Sequence, residues 1–280
     1  MKSQELIYLN EAILGFFGLK VNPFTNTPNL DFHYESKSFQ EGYAALYYVI
    51  SRRLGFALIT GEVGTGKTQL LRYFLKTSPF KMSSALVLNP LVKPKDLFKL
   101  ILSDFGVKEA PKVKEISVLT NLLYEFTLKK AQEGERVVVF IDEAQDLPLD
   151  TMESLRLISN FETEDSKLID IILVGQPELE KKLERYELRQ LNQRIWVRVK
   201  LRPLDIDEIE PYLVVRFERA GAGRIFDNFI IGEVYNFSKG IPRLINALME
   251  RAMLAAFVDE NKIIRPRHIK RAIESLMGEG

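Results

Sequence analysis

Between residues 56 and 201 the chain alternates short, strongly apolar runs with longer segments whose apolar residues recur every three or four positions. The short runs read as buried strands and the longer segments as amphipathic helices. This places strands at 56–60, 84–89, 136–141, 169–174 and 195–201. Helices are expected at 67–77, 94–105, 113–133, 149–161 and 177–192, with another over Gln40–Leu54. Pro94 with Asp96, and Leu149-Asp150-Thr151, are helix-start signals that support the scheme. Such alternation predicts an α/β protein with a parallel sheet flanked by helices. After Pro203 the period changes, and 205–220, 227–238, 242–259 and 266–276 all read as helices with no strand between them. The expected division is therefore a core, 1–204, followed by an all-α lid, 205–280. Within the core, residues 1–55 read as an N-terminal linker punctuated by turn signals at Gly15-Phe16-Phe17-Gly18, Asn22-Pro23-Phe24 and Pro28-Asn29.

Composition narrows the chemistry. The 280 residues are 46% hydrophobic, enough for a substantial core, and the net charge of +1 supplies no general attraction to nucleic acid or anionic membrane. Cysteine is absent, which excludes disulfides, thiolate nucleophiles and cysteine-type zinc sites. The two histidines, His33 and His268, are far apart in sequence, so a histidine-based metal site is not expected either. The opening residues, Met1-Lys2-Ser3-Gln4-Glu5, lack the basic start and apolar stretch of a signal peptide. No run approaches the roughly 18 apolar residues that a membrane span needs. The expectation is a soluble, cytoplasmic protein.

The strongest chemical signal follows the first predicted strand. Gly61-Glu62-Val63-Gly64-Thr65-Gly66-Lys67-Thr68 matches the phosphate-binding loop G-x-x-x-x-G-K-[ST], the Walker A motif. Its glycines let successive N–H groups turn inward onto phosphate oxygens. Lys67 can reach the β- and γ-phosphates, and the Thr68 hydroxyl can hold Mg²⁺. The helix that begins here, through Gln69, adds unpaired N–H groups and the positive end of its dipole.

A second signal lies at Val137-Val138-Val139-Phe140-Ile141-Asp142-Glu143, an apolar strand ending in two acids, which has the form of a Walker B strand. Carboxylates are excluded from the middle of a buried strand but suit its C-terminal end, where ligands of parallel sheets bind. Asp142 is expected to hold Mg²⁺, directly or through water, and Glu143 to orient and deprotonate the attacking water. Gln176 ends the next strand; if that strand lies between the other two, its side chain faces the γ-phosphate. Asn89 follows Leu86-Val87-Leu88 and, beside the acid-bearing strand, is a candidate to hold Glu143 in an inactive rotamer. Both also fit the simpler role of strand-terminal turn residue.

The alternating core and a helical lid containing Gly240-Ile241-Pro242-Arg243 resemble the AAA+ ATPases. Within them the chain is similar to the ExeA type (general secretion pathway protein A). The likeness rests on Phe17-Gly18-Leu19-Lys20, Asn22-Pro23-Phe24, Phe32-His33-Tyr34 and the 61–68 loop. It extends through Phe140–Leu147, Ser159-Asn160-Phe161-Glu162, Val174–Leu179, Arg189–Ile195 and Gly240–Asn246. The resemblance implies ATP rather than GTP, a central strand ending in a sensor 1 residue, Gln176, and a sensor 2 arginine, Arg243, that reaches the γ-phosphate. It also implies a role in assembling export machinery at the envelope, with relatives in pilus assembly, polysaccharide export and transposition. The full-length secretion protein continues through a membrane helix into a peptidoglycan-binding region. Neither is expected in the sequence up to Gly280, and on that expectation an envelope role would need a partner tethering it at the inner membrane.

Two arginines, Arg189 and Arg194, are candidates for a finger that enters a neighbouring subunit's site in a ring or filament of copies. Residues 194–202 alternate as a half-buried strand with a basic outer face, for which a solvated surface is the plainer explanation. That face and the Arg265–Arg271 cluster also carry an alternative, an ATP-dependent regulator assembling on DNA in the manner of the transposition relatives.

Overall fold

The structure, a computed structural model, describes residues 3–25, 30–163 and 166–278. The expected turn at Pro28-Asn29 lies outside them. In chain order the elements are α1 (Ser3–Phe17), α2 (Lys37–Arg52), β1 (Phe56–Gly61), α3 (Lys67–Thr77), β2 (Met82–Val87), α4 (Pro94–Asp104), α5 (Ile116–Gln132), β3 (Arg136–Ile141) and α6 (Leu149–Ile158). There follow β4 (Asp170–Gly175), α7 (Glu178–Leu183), α8 (Arg189–Asn192), β5 (Ile195–Leu201), α9 (Ile206–Arg219), α10 (Ile230–Ser238), α11 (Pro242–Val258) and α12 (Pro266–Met277). Among the described residues no helix is long and apolar enough to cross a membrane.

The five strands form one parallel sheet in the order β2-β3-β4-β1-β5. β1 and β4 are buried throughout, and β3 is buried from Val137 onward. Such strands must be apolar on both faces because helices cover both. Phe56, Leu58, Val139, Ile141, Ile171 and Leu173 pack into one core with side chains of α4–α8. Their neighbours Ala57, Ile59, Val138, Phe140, Ile172 and Val174 face a second core with Leu46 and Ile50 of α2 and Leu70 and Phe74 of α3. The α/β class and the parallel sheet expected from the alternation are both present.

Three local expectations need correction. β2 lies two residues earlier than expected, because Met82-Ser83-Ser84 pair with Arg136-Val137-Val138 at the sheet edge and need not be apolar. The expected helix 177–192 is broken at Arg185, whose backbone is extended. Leu179, Leu183, Leu188 and Leu191 are all buried, and the five-residue step from 183 to 188 cannot keep one face of a continuous helix on the core. Finally, the turn expected at Gly15–Gly18 is the end of an unforeseen helix, α1. The Leu19 N–H donates to the Leu14 carbonyl (2.8 Å) and the Gly18 N–H to the Gly15 carbonyl (3.2 Å), with Gly18 at φ +71°. This is the Schellman ending, which favours glycine.

The chain divides into two compact units, a sheet unit of Phe39–Val63 and Leu70–Leu201 and a helical unit of Met1–Ser38, Gly64–Gln69 and Arg202–Gly280. The N-terminal segment groups with the helices. The reason is a shared core in which Phe17, Leu19, Phe24 and Phe32 pack with Ile209, Leu213, Phe217 and Leu248. Arg216 of α9 is buried there, donating to the carbonyls of Pro23 (2.7 Å) and Phe32 (3.2 Å) while lying against the rings of Phe24, Phe32 and Tyr212. Its guanidinium thus satisfies backbone oxygens that the aromatic segment would otherwise bury unpaired.

Candidate functional site

In the sheet unit, parallel pairing brings the C-terminal ends of β1, β4 and β3 to one edge, with β4 between the other two. That is the arrangement on which the reading of Gln176 depended. β1 runs out through Gly61 into the glycine-rich loop. Asp142 directly follows β3, is only 3% exposed, and continues the ladder by donating its N–H to the Val87 carbonyl (2.9 Å). Its Oδ1 accepts the Glu143 N–H at 3.0 Å. Glu143 itself is left-handed, φ 50° and ψ 38°. For a non-glycine residue this conformation costs about 1–3 kcal/mol and persists only where the surroundings impose it.

The surroundings here are two glutamines. Gln145 Nε2 donates to Glu143 Oε2 at 2.8 Å, and Gln176 Nε2 reaches the same oxygen at 3.4 Å. Gln145 Oε1 in turn accepts the Gln176 backbone N–H at 3.1 Å. Gly175, the last residue of β4, leaves the room this needs: a Cβ there would stand 2.6 Å from Gln145 Oε1 and 2.9 Å from Leu179 Cδ2. Lys182 of α7 secures the turn from beneath, donating to the carbonyls of Gln145 (2.8 Å) and Leu147. Burial is the main cause of the downward shift of its ammonium pKa.

In the helical unit, the loop residues Gly64 and Gly66 take φ values of +86° and +99°, which only glycine adopts freely. Beside Gly66 the space a Cβ would fill is open, whereas at Gly64 a Cβ would meet Arg243 Cβ at 2.7 Å. The Arg243 N–H points to the Gly64 carbonyl at 3.4 Å, which sets the start of α11 beside Gly64. Lys67 opens α3 and is 6% exposed, with Thr68 and Gln69 half-buried beside it. Glu62, Val63 and the Arg243 side chain are exposed.

The remaining candidates fall elsewhere. Asn89 is exposed two residues past β2, and among the described hydrogen bonds Glu143 is held by Gln145 and Gln176, not by Asn89. Arg194 is engaged within its own unit, donating to Asn160 Oδ1 (2.7 Å) and Ser159 Oγ. Arg189 is exposed, its guanidinium stacked 3.8 Å over the ring of Tyr186. Gln145 lies in the Phe140–Leu147 stretch that carries the resemblance, but the sequence assigns it no role of its own there.

Comparison with known proteins agrees with this geometry. Residues 51–183 match the family described as AAA domain. General secretion pathway protein A of Aeromonas hydrophila is 40% identical over 245 residues, covering 86% of this chain but 44% of that protein, so the chain spans less than half of its length. The Aeropyrum pernix ORC2 protein shares the fold with a TM-score of 0.67 at 16% identity, over 91% of this chain and 71% of that one. The Cdc6p structure from Pyrobaculum aerophilum gives 0.65 at 16% identity, over 90% and 70% of the two chains. With a phosphate-type loop on β1, an acidic pair on β3 and a polar residue ending the strand between them, the chain belongs to the AAA+ P-loop ATPases, of the type represented by general secretion pathway protein A.

Proposed function

We propose that this chain binds and hydrolyses ATP and uses the cycle to assemble or remodel a partner complex of the envelope export machinery. The observation that carries the reading is Glu143 held by two amides at the end of β3, immediately after a buried Asp142. The loop 61–68, continued by Gln69, would cradle the triphosphate, with backbone N–H groups and Lys67 opposing its charge. Thr68 offers a hydroxyl oxygen and Asp142 a carboxylate oxygen, each a hard donor of the kind Mg²⁺ takes. Bound there, Mg²⁺ would neutralise charge on the β- and γ-phosphates. Glu143 would take a proton from the attacking water, Gln176 would contact the γ-phosphate, and Arg243 would report its presence to the helical unit. The work would be done in the cytoplasm, peripheral to the inner membrane through a partner.

Lys67→Ala tests the nucleotide reading. Loss of a charge-assisted contact of about 1.5–3 kcal/mol predicts roughly 10- to 100-fold weaker binding of a fluorescent ATP analogue. Unchanged affinity would overturn it.

Self-association is the second part of the proposal. Because Arg194 is committed to Asn160 and Ser159, Arg189 is the better candidate for a finger acting on a neighbouring copy. Turnover per chain is expected to rise with protein concentration, and Arg189→Ala to abolish the rise. A turnover number that stays flat while light scattering shows self-association counts against a finger. Assembly on DNA rests on the exposed Trp196, Arg198 and Lys200 along β5 and on the Arg265–Arg271 cluster, where Arg267 and Arg271 are paired with Asp259, and the net charge of +1 adds nothing to it.

A further inference from the structure

We propose that Gln145 is a positioning residue for Glu143, a two-ended bracket tying the general base to the end of β4. The inference rests on the assignment of Glu143 proposed above. One end of the Gln145 amide donates to Glu143 Oε2 (2.8 Å) and the other accepts the Gln176 N–H (3.1 Å). An amide pinned at both ends cannot rotate, so its donor fixes which oxygen of Glu143 is engaged. Gln176 Nε2 converges on that same oxygen. Among the described residues no hydrogen bond reaches Glu143 Oε1, which leaves it as the oxygen presented to water.

The turn itself does not need this side chain. Its backbone is closed by Asp146 N–H to Glu143 carbonyl (2.9 Å) and Leu147 N–H to Ala144 carbonyl (3.2 Å). Lys182 adds its two carbonyl contacts from α7. The Gln145 amide is therefore spent on Glu143 and Gln176 alone. The missing Cβ at Gly175 points the same way, since a Cβ there would stand 2.6 Å from Gln145 Oε1 and press it away from its position. Through Gln176 the bracket joins the water-orienting group to the residue proposed to contact the γ-phosphate. Movement at the end of β4 would thus be felt directly by the base.

The test is a set of four proteins: wild type, Gln145→Ala, Glu143→Gln and the double variant. Each is assayed for binding of a fluorescent ATP analogue and for single-turnover phosphate release. Gln145→Ala is expected to lower the hydrolysis rate about tenfold, as a displaced catalytic group does, and to leave nucleotide affinity within about twofold. If Gln145 acts through Glu143, the double variant is no slower than Glu143→Gln alone. Gln145→Glu keeps the length and the acceptor but loses the donor, so it should lose at least as much rate as Gln145→Ala. Retained rate in either Gln145 variant, or additive losses in the double variant, overturns the bracket while leaving Glu143 as the base. Full turnover in Glu143→Gln overturns the base assignment, and the bracket with it.

Discussion

Glu143→Gln should bind ATP with nearly unchanged affinity and hydrolyse it roughly 10²- to 10⁴-fold more slowly, the usual contribution of a positioned general base. The substitution is nearly isosteric, and Glu143 Oε2 accepts its hydrogen bonds from amide donors, so the turn after β3 should survive. What disappears is the capacity to accept a proton. Asp142, 3% exposed and hydrogen-bonded to the following N–H, remains in place as the group proposed to hold the metal. Binding and hydrolysis should therefore separate, with binding measured by titration of a fluorescent analogue and hydrolysis by phosphate release. If turnover persists at the wild-type rate, water is activated by another group.

Gly240→Ala should be the most destabilising single-methyl change in the helical unit. Gly240 has φ +75°, a conformation that costs an L-residue about 1–2 kcal/mol, and an added Cβ would stand 2.0 Å from the Leu204 carbonyl oxygen. Backbone atoms cannot swing aside as a side chain can. The contact between the Leu204 N–H and the Gly240 carbonyl (2.9 Å) must then be lost or stretched as well. The combined loss should exceed about 3 kcal/mol, a drop in melting temperature of roughly 6 °C or more. Gly106 provides the control. It has nearly the same φ, +77°, but open space where a Cβ would go, so Gly106→Ala should show the backbone penalty alone. Equal melting temperatures for the two variants would show that the turn before α11 relaxes freely. The outcome bears on the site, because this turn sets Arg243 against Gly64.

The elements that position the site were legible because each is encoded locally. Glycines at fixed spacing, a lysine opening a helix and carboxylates capping an apolar run are signals of a few residues each. Errors arose where packing overruled local pattern. Residues 177–192 have helical composition throughout, yet the sheet core takes Leu183 and Leu188 together, and one helix cannot deliver both. Gly15 made 15–18 look like a turn, whereas the helix tolerates it and Gly18 ends it. Asn89 looked suited to restrain Glu143 from the neighbouring strand, but β2 ends at Val87, and Leu88 and Asn89 after it are exposed.

The amino-acid order alone determined the α/β class, the phosphate-type loop, the acidic pair on β3 and the shift to helices after residue 203, since periodicity and loop chemistry act over a few neighbouring positions. Tertiary structure decided which groups meet. It placed β4 between β1 and β3, joined the N-terminal aromatic segment to α9 through Arg216, and set Gln145 between Glu143 and the backbone of a residue 31 positions away. Those pairings depend on buried volume and on unpaired polar groups finding partners across long stretches of chain, and no short window of sequence contains that information.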